Sequence, residues 1–283
     1  MSSQPQLSST GGRPSSASSQ PSAAPLVVRL QRLVLSAQFA WFAGHLITVV
    51  QALTYFLIYR MSYEGSRAYS RAYMGTMLSY GIILYKAHGI PHISKNYMQR
   101  ILLDENTQYL LLALIWLTTS PIWVTLIPYS TFSVFHALTF IRTDIIPTLA
   151  PTAASTGTAP LARRLQQHIL QFVQTYQGPA LSMVAYSEIW VTFPILILYI
   201  FTGRASVLLP LMYANFVRFR YFFSPTTKQA FRDVRVRFDA WIEQNSSVPA
   251  IVKTLYVQAR EAIIKYGNID IVGTGGPAGA ANR

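Results

Sequence analysis

Five histidines, ten acidic residues and no cysteine are the material for chemistry in this 283-residue chain. The absence of cysteine removes disulfides, thiolate metal sites and cysteine nucleophiles. His88 and His92 are four residues apart, the spacing of two ligands on one helical face, but Pro91 between them argues against a continuous helix. No carboxylate stands at a metal-ligand spacing from either. Asp104 and Glu105 are adjacent, so on a helix their carboxylates point about 100° apart and do not converge on one substrate atom. His136 lies in an apolar stretch, where a helix–helix hydrogen bond is a better role than catalysis. Glu188 also lies among apolar residues and must face other helices or the membrane interface, in a structural role or as an ion site. No phosphate loop, dinucleotide fingerprint or nucleophile elbow occurs. No catalytic, cofactor-binding or metal-binding residue is expected.

The elements that carry these residues are those of a membrane protein. Hydrophobic residues make up 51% of the chain and charged residues 12%, about half the charged share of a soluble domain. The net charge of +13 fits attraction to anionic lipid better than to nucleic acid, because the cations sit beside apolar blocks. Residues 1–25, rich in Ser, Pro and Gln with Arg13 as the one charge, are expected to be a disordered tail and not a cleaved signal.

The expected fold is all-α and integral to the membrane, with a multispan domain over residues 26–223. Segment 33–59 is uncharged and exceeds the ~20 residues needed to cross a bilayer. A loop with Arg60, Glu64, Arg67 and Arg71 is expected next, then a polar-broken segment 73–90 that crosses or lies shallow. Segment 109–141 is too long for one crossing, and Pro121 and Pro128 make it a kinked span or, preferably, a hairpin. After a Pro/Thr/Ala linker, residues 161–176 alternate as a surface helix that Gly178 and Pro179 should end. Segments 180–202 and 205–223 form a second apolar pair.

Residues 224–267 predict two basic amphipathic helices, with Thr226 or Thr227 capping the first. Phe231, Val234, Phe238, Trp241 and Ile242 share an arc of about 100°, with Arg235 at its boundary. In the second helix Ile251, Val252, Leu255, Tyr256, Ala259, Ala262, Ile263 and Tyr266 form one face, opposite Lys253, Arg260 and Lys265; Val257 and Ile264 depart from the pattern. From Arg218 to Lys265 nine basic residues outnumber four acidic ones. Such faces pack on the membrane domain, enter a lipid surface, or meet a partner protein. The candidate membrane-surface residues are Phe231, Val234, Arg235, Phe238, Trp241, Ile242, Lys253, Leu255, Arg260 and Lys265. Residues 268–283 read as a flexible tail.

The wording of several segments is similar to the endoplasmic-reticulum and nuclear-envelope family of transmembrane protein 33 and the fungal pore-membrane nucleoporins. The resemblance runs from about Leu30 to Gly267. It is carried by Arg100-Ile101-Leu102-Leu103-Asp104-Glu105-Asn106 leading into Tyr109-Leu110-Leu111, and by Phe132-Ser133 with His136-Ala137. The run Phe201-Thr202-Gly203-Arg204-Ala205-Ser206, then Leu208-Leu209-Pro210, and Arg218-Phe219-Arg220-Tyr221 extend it. It implies a non-enzymatic multispan scaffold that organises nuclear pores and shapes tubular membrane. Nucleoporins, reticulon-like proteins and an import receptor are the implied partners, and the tail helices are implied to contact curved membrane. A small transporter or lipid-handling membrane enzyme, with Glu188, His136 or Asp104 on a polar path, is the alternative.

Overall fold

The computed structural model describes residues 24–58, 62–151, 159–203, 205–245 and 247–267. The expected N-terminal and C-terminal tails, Arg60 and most of the Pro/Thr/Ala linker fall outside them. Among the described residues every regular element is helical: the protein is an all-α membrane protein. The elements are α1 (Leu26–Val34), α2 (Ala37–Leu57), α3 (Tyr63–His88), α4 (Lys95–Leu103), α5 (Glu105–Thr118) and α6 (Leu126–Phe140). A π-turn (Ile141–Ile145) leads into α7 (Ile146–Leu149), and a second (Glu188–Thr192) joins α8 (Ala159–Ser187) to α9 (Phe193–Phe201). Then come α10 (Leu208–Phe223), α11 (Pro225–Gln244) and α12 (Ala250–Gly267).

Among the described residues three stretches are long and apolar enough to cross a membrane: Ala37–Leu57, Trp123–Leu149 and Pro160–Phe201. The last runs 42 residues. At about 1.5 Å per residue it is roughly twice the ~30 Å hydrocarbon thickness, so its Arg- and Gln-rich first half continues beyond the core.

α2 and α3 pack antiparallel through small and hydroxylated residues. A Cβ on Gly44 would stand 2.6 Å from the Gly75 carbonyl oxygen, and one on Gly75 equally close to the Gly44 oxygen. Only glycine permits that approach. Thr48 Oγ1 lies 3.1 Å from both the Ala72 carbonyl and Thr76 Oγ1, and Ser79 Oγ donates to the Trp41 carbonyl at 2.8 Å. Such bonds between membrane helices average about 0.6 kcal/mol each, so close packing carries most of the attraction. This interface corrects the expected loop: Ser62 accepts from Gly65 N and caps α3, whose first turns hold Arg67 and Arg71. The small stripe Gly65, Ala68, Ala72 and Gly75 is buried, and its packing outweighs the charges on the opposite side.

Segment 109–141 is divided between two helices, α5 and α6, with the break around Pro121. α5 ends at Thr118, just before Pro121. Pro128 lies in the first turn of α6, where its missing N–H would have no helical partner in any case. Tyr129 Oη donates to the Tyr109 carbonyl at 2.9 Å across the pair. Buried tyrosines fill the centre, Tyr69 and Tyr73 both reaching Thr125 Oγ1 at 2.9 and 2.8 Å. α6 meets α2 through the stacked rings of Phe42 and Phe140.

Gly178 and Pro179 do not end a helix but lie inside α8. The interior proline removes one backbone bond. Packing of α8 on α6 at Phe135–Phe172 and on α11 at Trp190–Phe238, just past its end, holds the element through that gap.

Candidate functional site

Apart from His136, the residues singled out for chemistry separate into two groups in space. At the end of α3, His88 Nε2 lies 2.7 Å from Asp104 Oδ2. His92 meets the Tyr97 ring at a tilt, 4.2 Å between centroids, beyond the chain reversal at Gly89, where φ is +72°. Asp104 also caps α5, its Oδ1 accepting from Asn106 N at 2.7 Å. Burial pushes its carboxyl up, but the hydrogen bonds from His88 and Asn106 outweigh this and hold it below the usual range. The neighbouring Glu105 turns elsewhere, to Arg220. His136 makes ring contacts with Trp41 and His45, and the expected bond between helices is made instead by His45, whose Nδ1 lies 2.9 Å from Ser133 Oγ.

The second group is a charge cluster whose members stand far apart in the sequence. Glu188, at the head of the second π-turn, is 2% exposed. Tyr109 Oη donates to its Oε1 at 3.0 Å, and Arg220 Nε stands 3.9 Å from its Oε2. Arg220 Nη1 donates to Glu105 Oε2 at 3.0 Å, with the guanidinium over the Tyr109 ring. Tyr213 Oη donates to the Glu188 carbonyl at 3.2 Å. Glu188 from the π-turn and Arg220 from α10 thus share one buried place, and Glu105 of α5 reaches the arginine from its exposed edge. The one sequence signal for it is an acid and an arginine each set in an apolar run, 32 positions apart, with no spacing rule to join them.

Above this cluster lie the two tail helices. Ser224, not Thr226 or Thr227, caps α11: its Oγ accepts from Thr227 N, and Pro225 takes the first helical position. Most of the α11 aromatic face turns inward. Phe231 meets Tyr221 edge-on at 5.4 Å, and Phe238 stacks on Trp190 at 4.9 Å. Ile242 is 7% exposed and Val234 half-buried, while Trp241 and Arg235 remain outside. The Tyr186 hydroxyl donates to Asp233.

α12 is oriented the other way. Its half-buried residues are Lys253, Tyr256, Arg260, Ile264 and Gly267, and Tyr256 and Arg260 meet Asp239 of α11. Tyr256 Oη donates to Asp239 Oδ1 at 2.7 Å and Arg260 Nη1 at 2.9 Å. The Tyr256 hydrogen bond, then Arg260, hold the Asp239 carboxyl below its usual range, while burial and Asp239 push the Tyr256 phenol up to about 12. Tyr266 Oη donates to Asn215 at 2.8 Å. Ile251, Val252, Leu255 and Ile263 therefore face away from the protein, with Lys265 beside them.

The family model for transmembrane protein 33/nucleoporin POM33 matches residues 20–268. The chain belongs to this family. Within it, the chain is 35% identical to nucleoporin POM33 of Chaetomium thermophilum over 241 residues, covering 80% of this chain and 84% of the relative. It is 29% identical to tetra-spanning protein 1 of Schizosaccharomyces pombe, covering 86% and 88%. Human transmembrane protein 33 is 25% identical over 78% of this chain and 85% of its own length. No solved structure matches the chain. The transmembrane protein 33/nucleoporin POM33 family is one of membrane proteins, and its matched region contains both the charge cluster and the tail helices.

Proposed function

We propose that this chain is a non-enzymatic membrane scaffold of the endoplasmic reticulum and nuclear envelope, acting in pore organisation and in shaping curved membrane. The observation that carries the reading is the outward apolar stripe of α12, anchored from behind by its polar side. A helix held in this way is suited to lie in a leaflet surface, burying Leu255 and Ile263 among acyl chains while Lys265 meets headgroups. A wedge on one leaflet favours curvature. The relatives named as pore-membrane and endoplasmic-reticulum proteins support the location. The contacts that Glu188, Arg220, Glu105 and Tyr109 make with one another between helices support the scaffold over a transport path. Nucleoporins, reticulon-like proteins and an import receptor are the proposed partners.

The test is the location of the tagged full-length chain in living cells beside a pore marker and a reticulum marker. A nuclear rim with puncta plus tubular reticulum is expected; residence at the plasma membrane or vacuole overturns the reading. The tail is proposed to be cytosolic. Asn245 begins a glycosylation sequon whose middle residue lies outside the described residues, and it should stay unmodified; a glycan there reverses the orientation.

A further inference from the structure

A polar cleft opens where the first π-turn and α7 meet the start of α8, with a volume of about 370 Å³. Arg142, Arg163, Gln166 and Gln167 supply its donors, with Pro147 and Leu170 as its apolar part. The π-turn inserts an extra residue and so shifts the helical face by about 100°. Arg142 lies on the side of the turn that packs on α8. Gln166 Nε2 donates to the Arg142 carbonyl at 3.0 Å, which ties α8 to the turn beside the arginine.

Neither arginine has a carboxylate partner among the described residues. The nearest acid on the turn, Asp144, accepts from Thr143 Oγ1 at 2.6 Å and does not line the cleft. Two guanidiniums and two side-chain amides around one opening form a site for a compact oxyanion, since planar N–H forks match phosphate oxygens. Its position names the source of that oxyanion. The cleft sits near the C-terminal end of the apolar stretch Trp123–Leu149, beside the Arg- and Gln-rich start of α8, where a crossing of that length would meet headgroups. Pro147 and Leu170 leave an apolar wall for the glycerol and upper acyl carbons.

We propose that the cleft between the π-turn Ile141–Ile145 and α8 binds the phosphate of an anionic phospholipid, with Arg142 and Arg163 as its charged ligands. The site is separate from the α12 surface and does not depend on the scaffold reading. A bound lipid would hold the long α8 in register with the end of α6.

Native mass spectrometry of the detergent-solubilised full chain, titrated with dioctanoyl phosphatidic acid, tests this directly. Arg142→Gln with Arg163→Gln should weaken binding by about tenfold or more, the loss expected for charge-assisted hydrogen bonds. Arg67→Gln with Arg71→Gln, which removes the same charge from α3, should change it less than about threefold. Arg142→Lys with Arg163→Lys retains charge without the planar fork and should fall between the two. Dioctanoyl phosphatidylcholine should bind more weakly than phosphatidic acid, and glycerol 3-phosphate more weakly still. Equal effects of the two Gln pairs, or equal binding of the two lipids, overturn the site. Glycerol 3-phosphate binding as tightly as the lipid overturns the lipid as occupant.

Discussion

α11 and α12 follow one another, carry the same amphipathic composition, and present their apolar faces to opposite surroundings. α11 turns Phe231, Phe238 and Ile242 onto the bundle; α12 turns Tyr256 and Arg260 inward and leaves Leu255 and Ile263 58% and 60% exposed. The difference lies in what each meets. α11 lies over the aromatic shelf of Tyr221 and Trp190, so ring burial decides its rotation. α12 lies over Asp239, so hydrogen bonds decide. An amphipathic period specifies two faces of a helix but not which of them the protein keeps.

The contrast fails first if the charge cluster beside the shelf is broken, since Glu188 and Arg220 are close in sequence to Trp190 and Tyr221. Arg220→Met leaves Glu188 and Glu105 without their cation. Breaking a buried pair from one side costs about 3–5 kcal/mol. Thermal unfolding of the solubilised chain should show a larger Tm loss than truncation of any side chain in α11 or α12, and Arg220→Met with Glu188→Gln should recover part of it. No recovery would mean that the cluster is not an electrostatic unit.

Phe238→Ala should come next. A fully buried Phe→Ala change costs about 3–5 kcal/mol, and Phe238 is about one-third exposed, so about 2 kcal/mol is expected. Limited proteolysis should then cut within α11 before the bundle. Unchanged protection would show that α11 does not rely on the Trp190 stack.

Much of this fold was legible because bilayer length and charge distribution act on single segments. The helix at α2, the break between α5 and α6 near Pro121 and the helical tail followed from local pattern. The start of α3 did not, because Gly65, Ala68 and Ala72 matter only against Gly44 and its neighbours on α2. Gly178 and Pro179 read as a stop because local propensity cannot weigh the packing on either side of them. The Glu188–Arg220–Glu105 cluster is tertiary and has no local mark. In α12 the sign was present but pointed the other way: Ile264, the misfit in the expected polar face, is half-buried on the same side as Arg260.

The hydrogen bonds under α12 can be loosened by acid, whereas the Phe238–Trp190 stack under α11 holds no titrating group. The Asp239 carboxyl is held below its usual range. Its contribution is therefore complete above the unfolded value of about 3.9 and is lost as pH falls through the lower folded value. The chain has no cysteine, so Glu243→Cys with Gln258→Cys admits a single pair of spin labels. The distance between them should broaden as pH drops from about 7 to about 2, well below the unfolded carboxyl value. Asp239→Asn should broaden it already at neutral pH. A distribution that stays narrow throughout assigns the docking to something other than Asp239.

The smallest effect on stability should accompany the clearest effect on membrane contact. Leu255 touches little of the protein, so Leu255→Asp should shift unfolding by less than about 0.5 kcal/mol, the range of ordinary surface changes. In lipid the same change is large: a buried leucine contributes about 1.5–3 kcal/mol, and an aspartate must additionally be desolvated. A polarity-sensitive dye on Ile263→Cys, in full chain reconstituted into anionic vesicles, reads that surface. Blue-shifted emission is expected with Leu255 present and water-like emission with Leu255→Asp. Water-like emission in both would mean that the outward stripe does not enter lipid, and α12 would then be a helix awaiting a protein partner.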